Sequence, residues 1–97
     1  MPLGHRSKVD DNHRAIARGL VKNHLFVQSL HSVGGGCPDL LVAGCVTFRM
    51  VLLEVKMPGK KPNDAQVKWA ANWPLGLVYT VTTLEEALAA CRDAGVD

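Results

Sequence analysis

Two carboxylates and an ammonium group interrupt segments that otherwise have the apolar character of buried β-strands. Asp39 begins one such segment, and Glu54 and Lys56 end the next one, directly after the apolar run 50–53. Side chains at positions i and i+2 of a strand share a face, so Glu54 and Lys56 should point the same way while Val55 points into the core. A hairpin of the two segments would place Asp39 opposite them. We therefore expect the three charged groups to converge at one end of a sheet.

This grouping of charges suits metal-assisted hydrolysis of a phosphodiester bond. The carboxylates of Asp39 and Glu54, together with the Val55 carbonyl, are hard oxygen ligands of the kind that Mg²⁺ prefers. Such an ion polarises the phosphate and lowers the pKa of its bound water, and Lys56 would orient or deprotonate the attacking water and counter the developing charge. The alternative is an ordinary Glu-Lys pair on an edge strand, which is common at protein surfaces.

Hydrophobic periodicity and turn signals predict the elements that would hold these groups. Apolar residues recur at helical spacing from Asp11 to about Asn23, and three residues near the start can serve as N-cap: Asp10, Asp11 and Asn12. The remaining pattern predicts strands 25–30, 39–43, 49–56 and 77–81 and helices 63–73 and 83–94. Each of these two helices begins with a capping-box pattern, Asn63 with Gln66 and Thr83 with Glu86. The order α-β-β-β-α-β-α predicts an α/β sandwich, a mixed sheet of four strands flanked by helices.

Length and composition limit the class of protein. The chain has 97 residues, 47% hydrophobic and 21% charged, which predicts a single domain over residues 1–97 with a flexible basic arm at 1–9. Collagen-like, disordered and disulfide-rich classes are excluded. No apolar run reaches the roughly 18 to 20 residues of a membrane span, and the first ten residues lack the apolar stretch of a signal peptide. We therefore expect a cytoplasmic protein with no membrane partner.

The spacing of cysteine and histidine predicts no zinc site. The three cysteines are an odd number at no zinc-like spacing, and we expect them as small core residues. The four histidines form neither an HxH nor an HExxH pattern. The glycine run 34–36 lacks the GKT or GKS of a P-loop, so no nucleotide cofactor is expected. These glycines would either turn the chain or bring its backbone close to a phosphate.

Positive charge is concentrated in two segments, although the formal net charge is only +2. Residues 1–24 and 56–68 each carry an excess of three positive charges. These segments could meet the phosphates of a nucleic acid if the fold brings them together, and solvated helix faces are the equal alternative. For a DNA partner, five residues are expected to contact the backbone rather than the bases: Arg14, Arg18, Lys60, Lys61 and Lys68.

Several motifs of the chain match a known nuclease pattern. Pro38-Asp39 followed by Glu54-Val55-Lys56 resembles the PD-(D/E)XK nuclease superfamily. More narrowly, the chain is similar to the virus-type replication-repair nuclease (VRR-NUC) family, common in phages, in residues 11–12 (DN), 33–42 (VGGGCPDLLV), 53–56 (LEVK) and Gln66. The likeness covers about residues 10–90 and keeps the family's order and spacing of motifs.

The resemblance implies a restriction-endonuclease-like α-β-β-β-α-β core and a nuclease site. Asp39 and Glu54 would be ligands of Mg²⁺ or Mn²⁺, Lys56 the catalytic lysine, and Gln66 the site-facing residue of the following helix. The implied activity is a metal-dependent DNA endonuclease, acting as a homodimer on branched DNA such as Holliday junctions, in a bacterial or phage-infected cell. The alternatives are a non-catalytic DNA-binding or interaction module of the same fold and a flap-type or restriction-type nuclease.

Some roles stay open at this point. Gln66 is explained by its capping box or by the site, and one residue could serve both. Members of the family often place an acidic residue in the first helix, and the nearest positions here are Asp11, Asn12 and His13. A third carboxylate is therefore shifted or absent. Asn12 or His13 could instead hold a metal-bound water, although for His13 a solvated helix residue is favoured over a direct ligand.

Two tryptophans bear on assembly. Trp69 and Trp73 share one face of a helix, which favours packing in the core or in a dimer interface over stacking on bases. A chain of this length has a thin core and cannot easily bury all its large apolar side chains. We therefore expect a self-complementary apolar patch and a two-fold homodimer.

Overall fold

A four-stranded mixed sheet forms the centre of the molecule. The structure, a computed structural model, describes residues 8–97, with side chains from Asp11 onward. The elements in chain order are α1 (Lys8–Lys22), β1 (Phe26–Ser29), β2 (Leu40–Ala43), β3 (Met50–Val55), α2 (Asp64–Asn72), β4 (Val78–Val81) and α3 (Leu84–Ala94). The predicted α/β class and the predicted order of elements are confirmed.

The sheet topology brings several strand ends to one edge. The strands lie in the order β1-β2-β3-β4; β2 is antiparallel to both β1 and β3, whereas β4 is parallel to β3. A parallel pair needs a long crossover, and the segment containing α2 provides it. The ends of β1, β3 and β4 and the start of β2 therefore meet at the same edge, which we call the site edge.

One side of the sheet, here called the packed face, is covered by α1 and α3. Its buried side chains come from both helices and from the three strands β2, β3 and β4: Ile16, Leu20, Leu40, Val42, Val51, Leu53, Val55, Val81, Ala87, Ala90 and Cys91. The two helices also touch each other at Gly19, where an added Cβ would lie 2.5 Å from the Leu84 Cδ2 atom. The glycine that weakens the helical pattern of α1 is therefore required by the contact with α3.

The opposite side, here called the open face, is covered less completely. It carries Leu41, Leu52 and Glu54, and α2 lies over it, but none of the α2 residues, all of which the structure describes, is buried. Trp69 and Trp73 stack with ring centroids 5.1 Å apart and line an apolar pocket of about 400 Å³. The tryptophans are half-buried, so the prediction that they pack in the core is wrong, and a dimer interface and stacking on bases stay as the alternatives.

The start of α1 differs from the prediction. The helix begins at Lys8, so Asp10, Asp11 and Asn12 lie inside it and none of them is its N-cap. Most of the arm predicted over residues 1–9 lies outside the described residues, and its last two residues belong to α1. The sequence pattern missed this because a helix start preceded by polar residues carries no apolar signal.

Two smaller expectations are also corrected. Thr83 caps α3 by accepting from the Glu86 backbone N–H, but the Glu86 carboxylate accepts from the Thr82 N–H instead of returning to Thr83, so the second capping box is only half formed. Of the three cysteines, Cys91 is buried in the core, whereas Cys45 is exposed. None of the helices in the described part of the chain is long and apolar enough to cross a membrane.

Candidate active site

The pairing of β2 with β3 ends two residues after Pro38 in the chain, and this sets the position of Asp39. Leu40 pairs with Leu53, so the same register places Asp39 opposite Glu54 and Pro38 opposite Val55. Proline has no N–H to donate to the Val55 carbonyl, so the ladder stops. The Val55 N–H donates instead to Asp39 Oδ2 at 2.8 Å. The Asp39 carboxylate is thereby fixed beside the end of β3, where a carbonyl is left without its ladder donor.

Glu54 is a buried carboxylate with an incomplete set of partners. Glu54 is only 4% exposed to solvent. Its Oε2 atom accepts from Gln66 Nε2 at 2.9 Å and lies 3.6 Å from Lys56 Nζ, whereas Oε1 is buried and accepts from none of the described groups. Burial, and after it the negative charge of Asp39, raises the pKa of Glu54 to about 7, against the opposing effect of Lys56. A buried carboxylate oxygen without a donor requires an explanation.

A divalent cation would fit this donor set, and so would a proton shared by the two carboxylates, because side-chain hydrogen bonding to Asp39 also raises the pKa of Glu54. Two carboxylates and a backbone carbonyl are hard oxygen ligands, and a cation among them would remove both the repulsion between Asp39 and Glu54 and the unmet need of Glu54 Oε1. The predicted convergence of Asp39, Glu54 and Lys56 at one end of the sheet is present in the structure. Val55 points its side chain into the packed face, as predicted.

The Gln66 side chain makes both of the contacts that its sequence position allowed, one within the capping box of α2 and one with Glu54. Its side-chain Oε1 accepts from the Asn63 N–H, and its own N–H donates to Asn63 Oδ1, both at 2.9 Å, which completes the capping box of α2. The remaining amide nitrogen, Nε2, donates to Glu54. The same side chain therefore starts α2 and orients the buried carboxylate.

Gly36 allows α2 to approach this closely. Its φ is +88°, and an added Cβ would lie 2.3 Å from the carbonyl oxygen of Ala65 in the first turn of α2. A larger residue would push the start of the helix away and take Gln66 with it. All three glycines of the run 34–36 have positive φ, so the prediction that they turn the chain is confirmed, and Gly36 in addition makes room for a helix.

The first helix supplies a structural tie and a histidine to the site edge. Asn12 Nδ2 donates to the carbonyls of Lys56 at 3.0 Å and Thr82 at 3.2 Å, so it fastens α1 to the ends of β3 and β4. Asp11 is exposed and, within the described residues 11–97, makes no hydrogen bond or ion pair with Asp39 or Glu54. Among the α1 side chains from position 11 onward, which are the ones described, Asp11 is the only carboxylate, and it has no such contact with the acidic pair.

His13 lies beside a histidine that the sequence analysis did not single out. The rings of His13 and His31 are perpendicular with centroids 5.9 Å apart, and His31 Nδ1 lies 4.0 Å from Asp39 Oδ1. His31 follows β1, whose end lies next to the start of β2 because Leu30 N–H donates to the Asp39 carbonyl at 2.7 Å. Pairing of the two segments was the available signal, since it places position 31 beside positions 38 and 39.

The predicted DNA-contacting residues are exposed and lie around the site from two directions. Lys60 and Lys61 lie in the loop that leaves β3 after Lys56, and Lys68 lies on α2 over the open face. Arg14 and Arg18 lie on α1, on the packed face. In the described residues the two basic segments therefore lie on opposite sides of the sheet, and they meet at the site edge, where Asn12 contacts the Lys56 carbonyl.

Comparison with known proteins adds no assignment. The sequence matches no protein-family model, and it has no significant match among curated proteins or solved structures. The geometry of the site edge therefore carries the functional conclusion.

Proposed function

We propose that this protein is a Mg²⁺-dependent endonuclease that hydrolyses DNA phosphodiester bonds, with Mn²⁺ as an alternative ion. The observation that carries the proposal is the buried Glu54 carboxylate, whose Oε1 oxygen has no donor among the described residues and which faces a second carboxylate at the end of a proline-terminated strand pair. Asp39, Glu54 and the Val55 carbonyl would hold the ion. When bound, the ion would supply Lewis-acid polarisation of the phosphate and a more acidic water.

Lys56 and Gln66 complete the proposed chemistry. The Lys56 ammonium lies 3.6 Å from Glu54 Oε2, on the same side of β3, and it would orient the attacking water and stabilise negative charge as it develops on the phosphate. Gln66 holds the Glu54 carboxylate in one orientation from the start of α2. Because Glu54 is tied to both groups, its position does not depend on the metal alone.

DNA would approach along the site edge. Lys60, Lys61 and Lys68 come to this edge from one side of the sheet and Arg14 and Arg18 from the other, so contacts on both sides would straddle a phosphate backbone at the acidic pair. Such contacts carry no base information, so the shape of the DNA would select the substrate. A branched substrate, as the similarity to the VRR-NUC family suggests, is part of the proposal.

A homodimer is proposed from the apolar pocket of the open face. The pocket of about 400 Å³ is lined by Trp69 and Trp73 and reaches Leu75, which is 66% exposed. A second copy packed around a two-fold axis would cover the pocket and Leu75 and would set two sites at a fixed separation. The mass in solution, measured by light scattering at micromolar concentration, tests this part.

The decisive experiment is a cleavage assay with labelled four-way junctions, flaps and linear duplexes in Mg²⁺, with EDTA as the control. Cleavage that requires Mg²⁺ and is lost in Asp39→Asn supports the proposal. Binding without cleavage in any divalent ion would favour a non-catalytic DNA-binding module of the same fold. Cutting of flaps or linear duplexes instead of junctions would keep the nuclease and replace the substrate, and a monomer that nicks one strand would remove paired incision.

A further inference from the structure

Two histidines and a carboxylate come together at the site edge from three separate segments. His13 lies in α1, His31 in the loop after β1, and Asp39 just before β2, and one ligand atom from each lies within 4.8 Å of the other two. The pattern of histidines along the chain predicts no zinc site, and the fold creates this group by pairing β1 with β2 beneath α1. We propose that these three residues bind a divalent transition-metal ion of the Zn²⁺ type.

The ligand types distinguish this site from the acidic pair. Mg²⁺ prefers oxygen ligands, whereas imidazole nitrogen favours Zn²⁺ and other transition metals. Two imidazoles and one carboxylate, with the remaining position open to water, form a donor set that binds Zn²⁺ in catalytic sites. The set His13, His31 and Asp39 is therefore selective for a softer ion than the set Asp39, Glu54 and the Val55 carbonyl.

The geometry is close to that of a metal-bound pair of imidazoles. Two rings on one tetrahedral ion have centroids roughly 5 Å apart when each Zn–N bond is about 2.0 to 2.1 Å. The centroids of His13 and His31 are 5.9 Å apart, and His31 Nδ1 is 4.0 Å from Asp39 Oδ1. The His31 side chain is 65% exposed, so little packing opposes the rotation that metal binding would need.

The backbone holds His31 at this place. The Leu30 N–H donates to the Asp39 carbonyl at 2.7 Å, the His31 N–H donates to Ser29 Oγ at 3.3 Å, and the Val33 N–H donates to the Leu30 carbonyl at 3.0 Å. The turn after β1 is thus fixed on both sides of His31. A ligand that is held by its backbone loses less conformational entropy on binding than one on a free loop.

Asp39 can belong to both sites because its two oxygens face different groups. Oδ2 accepts from the Val55 N–H at the end of β3, and Oδ1 faces His31. One carboxylate would therefore connect a hard-metal site on the open face with a softer-metal site beside α1. The softer site does not depend on the proposed nuclease activity, since it requires only that the three side chains bind an ion.

Metal binding by purified protein tests the inference without any cleavage assay. Zn²⁺ affinity is measured by competition with a chromophoric chelator, and Co²⁺ binding by its visible absorption band. Both measurements use a Cys45→Ser background, because Cys45 is an exposed thiol beside the control position: its sulfur lies 3.6 Å from the His24 carbonyl. His13→Ala and His31→Ala should each lower Zn²⁺ affinity at least tenfold and weaken the Co²⁺ band. His24→Asn, which removes an imidazole elsewhere and suits the positive φ of 67° at that position, should leave both unchanged.

Glu54→Gln separates the two sites. We expect this variant to retain Zn²⁺ affinity within a factor of two while it loses Mg²⁺ affinity, and we expect His31→Ala to show the reverse. Zn²⁺ binding that is unaffected by His13→Ala and His31→Ala would overturn the inference, and so would a loss of Zn²⁺ affinity in Glu54→Gln as large as that in His31→Ala. A failed cleavage assay would overturn the proposed function and leave these results standing.

Discussion

The two faces of the sheet are built on different principles. The packed face interlocks small side chains of α3 with branched side chains of β2 and β3, and α1 touches α3 through a glycine. The open face carries a buried carboxylate with a free oxygen, a stacked tryptophan pair and a helix that buries none of its described residues. Most of the buried apolar side chains therefore lie on one face, and the buried carboxylate and the half-buried tryptophan pair lie on the other.

The largest expected effect is on catalysis at the site edge. Asp39→Asn and Glu54→Gln remove a metal-binding charge but keep the side-chain shape, so each should reduce cleavage of a preferred DNA by about 10² to 10³-fold or more, the scale seen when one charge-stabilising group is lost. Single-turnover cleavage rates measure the effect. Asp93→Asn, an acid-to-amide change at the far end of α3 where Asp93 accepts from the Tyr79 hydroxyl, is the matched control. Full activity in either site variant would exclude the proposed centre.

Matched leucine substitutions compare the packing of the two faces. Leu53→Ala opens a cavity in the packed face, where Leu53 is fully buried, and should lower the free energy of unfolding by about 3 to 5 kcal/mol. Leu41→Ala removes a half-buried side chain that already borders the pocket of the open face, and should cost only about 1 to 2 kcal/mol. Urea denaturation of both variants at low protein concentration measures the difference. Equal losses would mean that the open face is as well packed as the other.

The open face should also make the metal-free protein sensitive to pH. The pKa of Glu54 is raised from 4.5 to about 7, so the folded state holds this proton more tightly than the unfolded state. The free energy of unfolding should therefore fall as pH rises from about 4.5 to about 7, by about 2 to 3 kcal/mol at most. Denaturation in EDTA at several pH values tests this.

Glu54→Gln is the control for the pH effect. The variant should lose this pH dependence and, in EDTA at pH 8, should be more stable than the parent protein because the buried charge is gone. Leaving the Lys56 ammonium without its partner reduces the gain. A parent protein whose stability rises between pH 5 and pH 7 would contradict the raised pKa of Glu54.

The smallest expected effect is on DNA binding beside the open face. Lys60→Glu with Lys61→Glu should weaken binding to every DNA by about tenfold and reduce the dependence of the binding constant on salt, by roughly 0.9 for each phosphate that the variant no longer neutralises. Titrations at several salt concentrations measure both. The control variant, Lys22→Glu with Arg92→Glu, makes the same charge change in the last turns of α1 and α3, away from the site edge. It should have a smaller effect. An unchanged slope in the first variant would place the DNA elsewhere.

Local sequence patterns predicted the parts of the site that local rules determine. The i and i+2 rule placed Glu54 and Lys56 together, and the Asn-x-x-Gln pattern gave the α2 cap that brings Gln66 to Glu54. Asp39 could be placed because a hairpin has only one open end. Each of these positions follows from a short-range rule of a strand, a helix turn or a hairpin, which the sequence shows directly.

The parts that escaped prediction depend on packing between distant segments. Asn12 was expected as a helix cap or a site residue, yet it ties two strand ends that lie 44 and 70 residues away. His31 lies in a loop, where no periodicity marks a functional side chain. The pocket beneath Trp69 and Trp73 could not be foreseen because the helical spacing of two aromatics is the same whether the surface below them is filled or not.

Pro38 shows how the absence of one backbone N–H can leave a carbonyl free at the end of a strand pair. An alanine at this position would bring an N–H that can donate to the Val55 carbonyl, so the β2–β3 ladder would gain a bond and that carbonyl would be lost as a ligand. The ring of one imino acid thus decides between a longer sheet and a ligand site. In evolutionary terms, a substitution at this uncharged residue would change the proposed ligand set without touching either carboxylate.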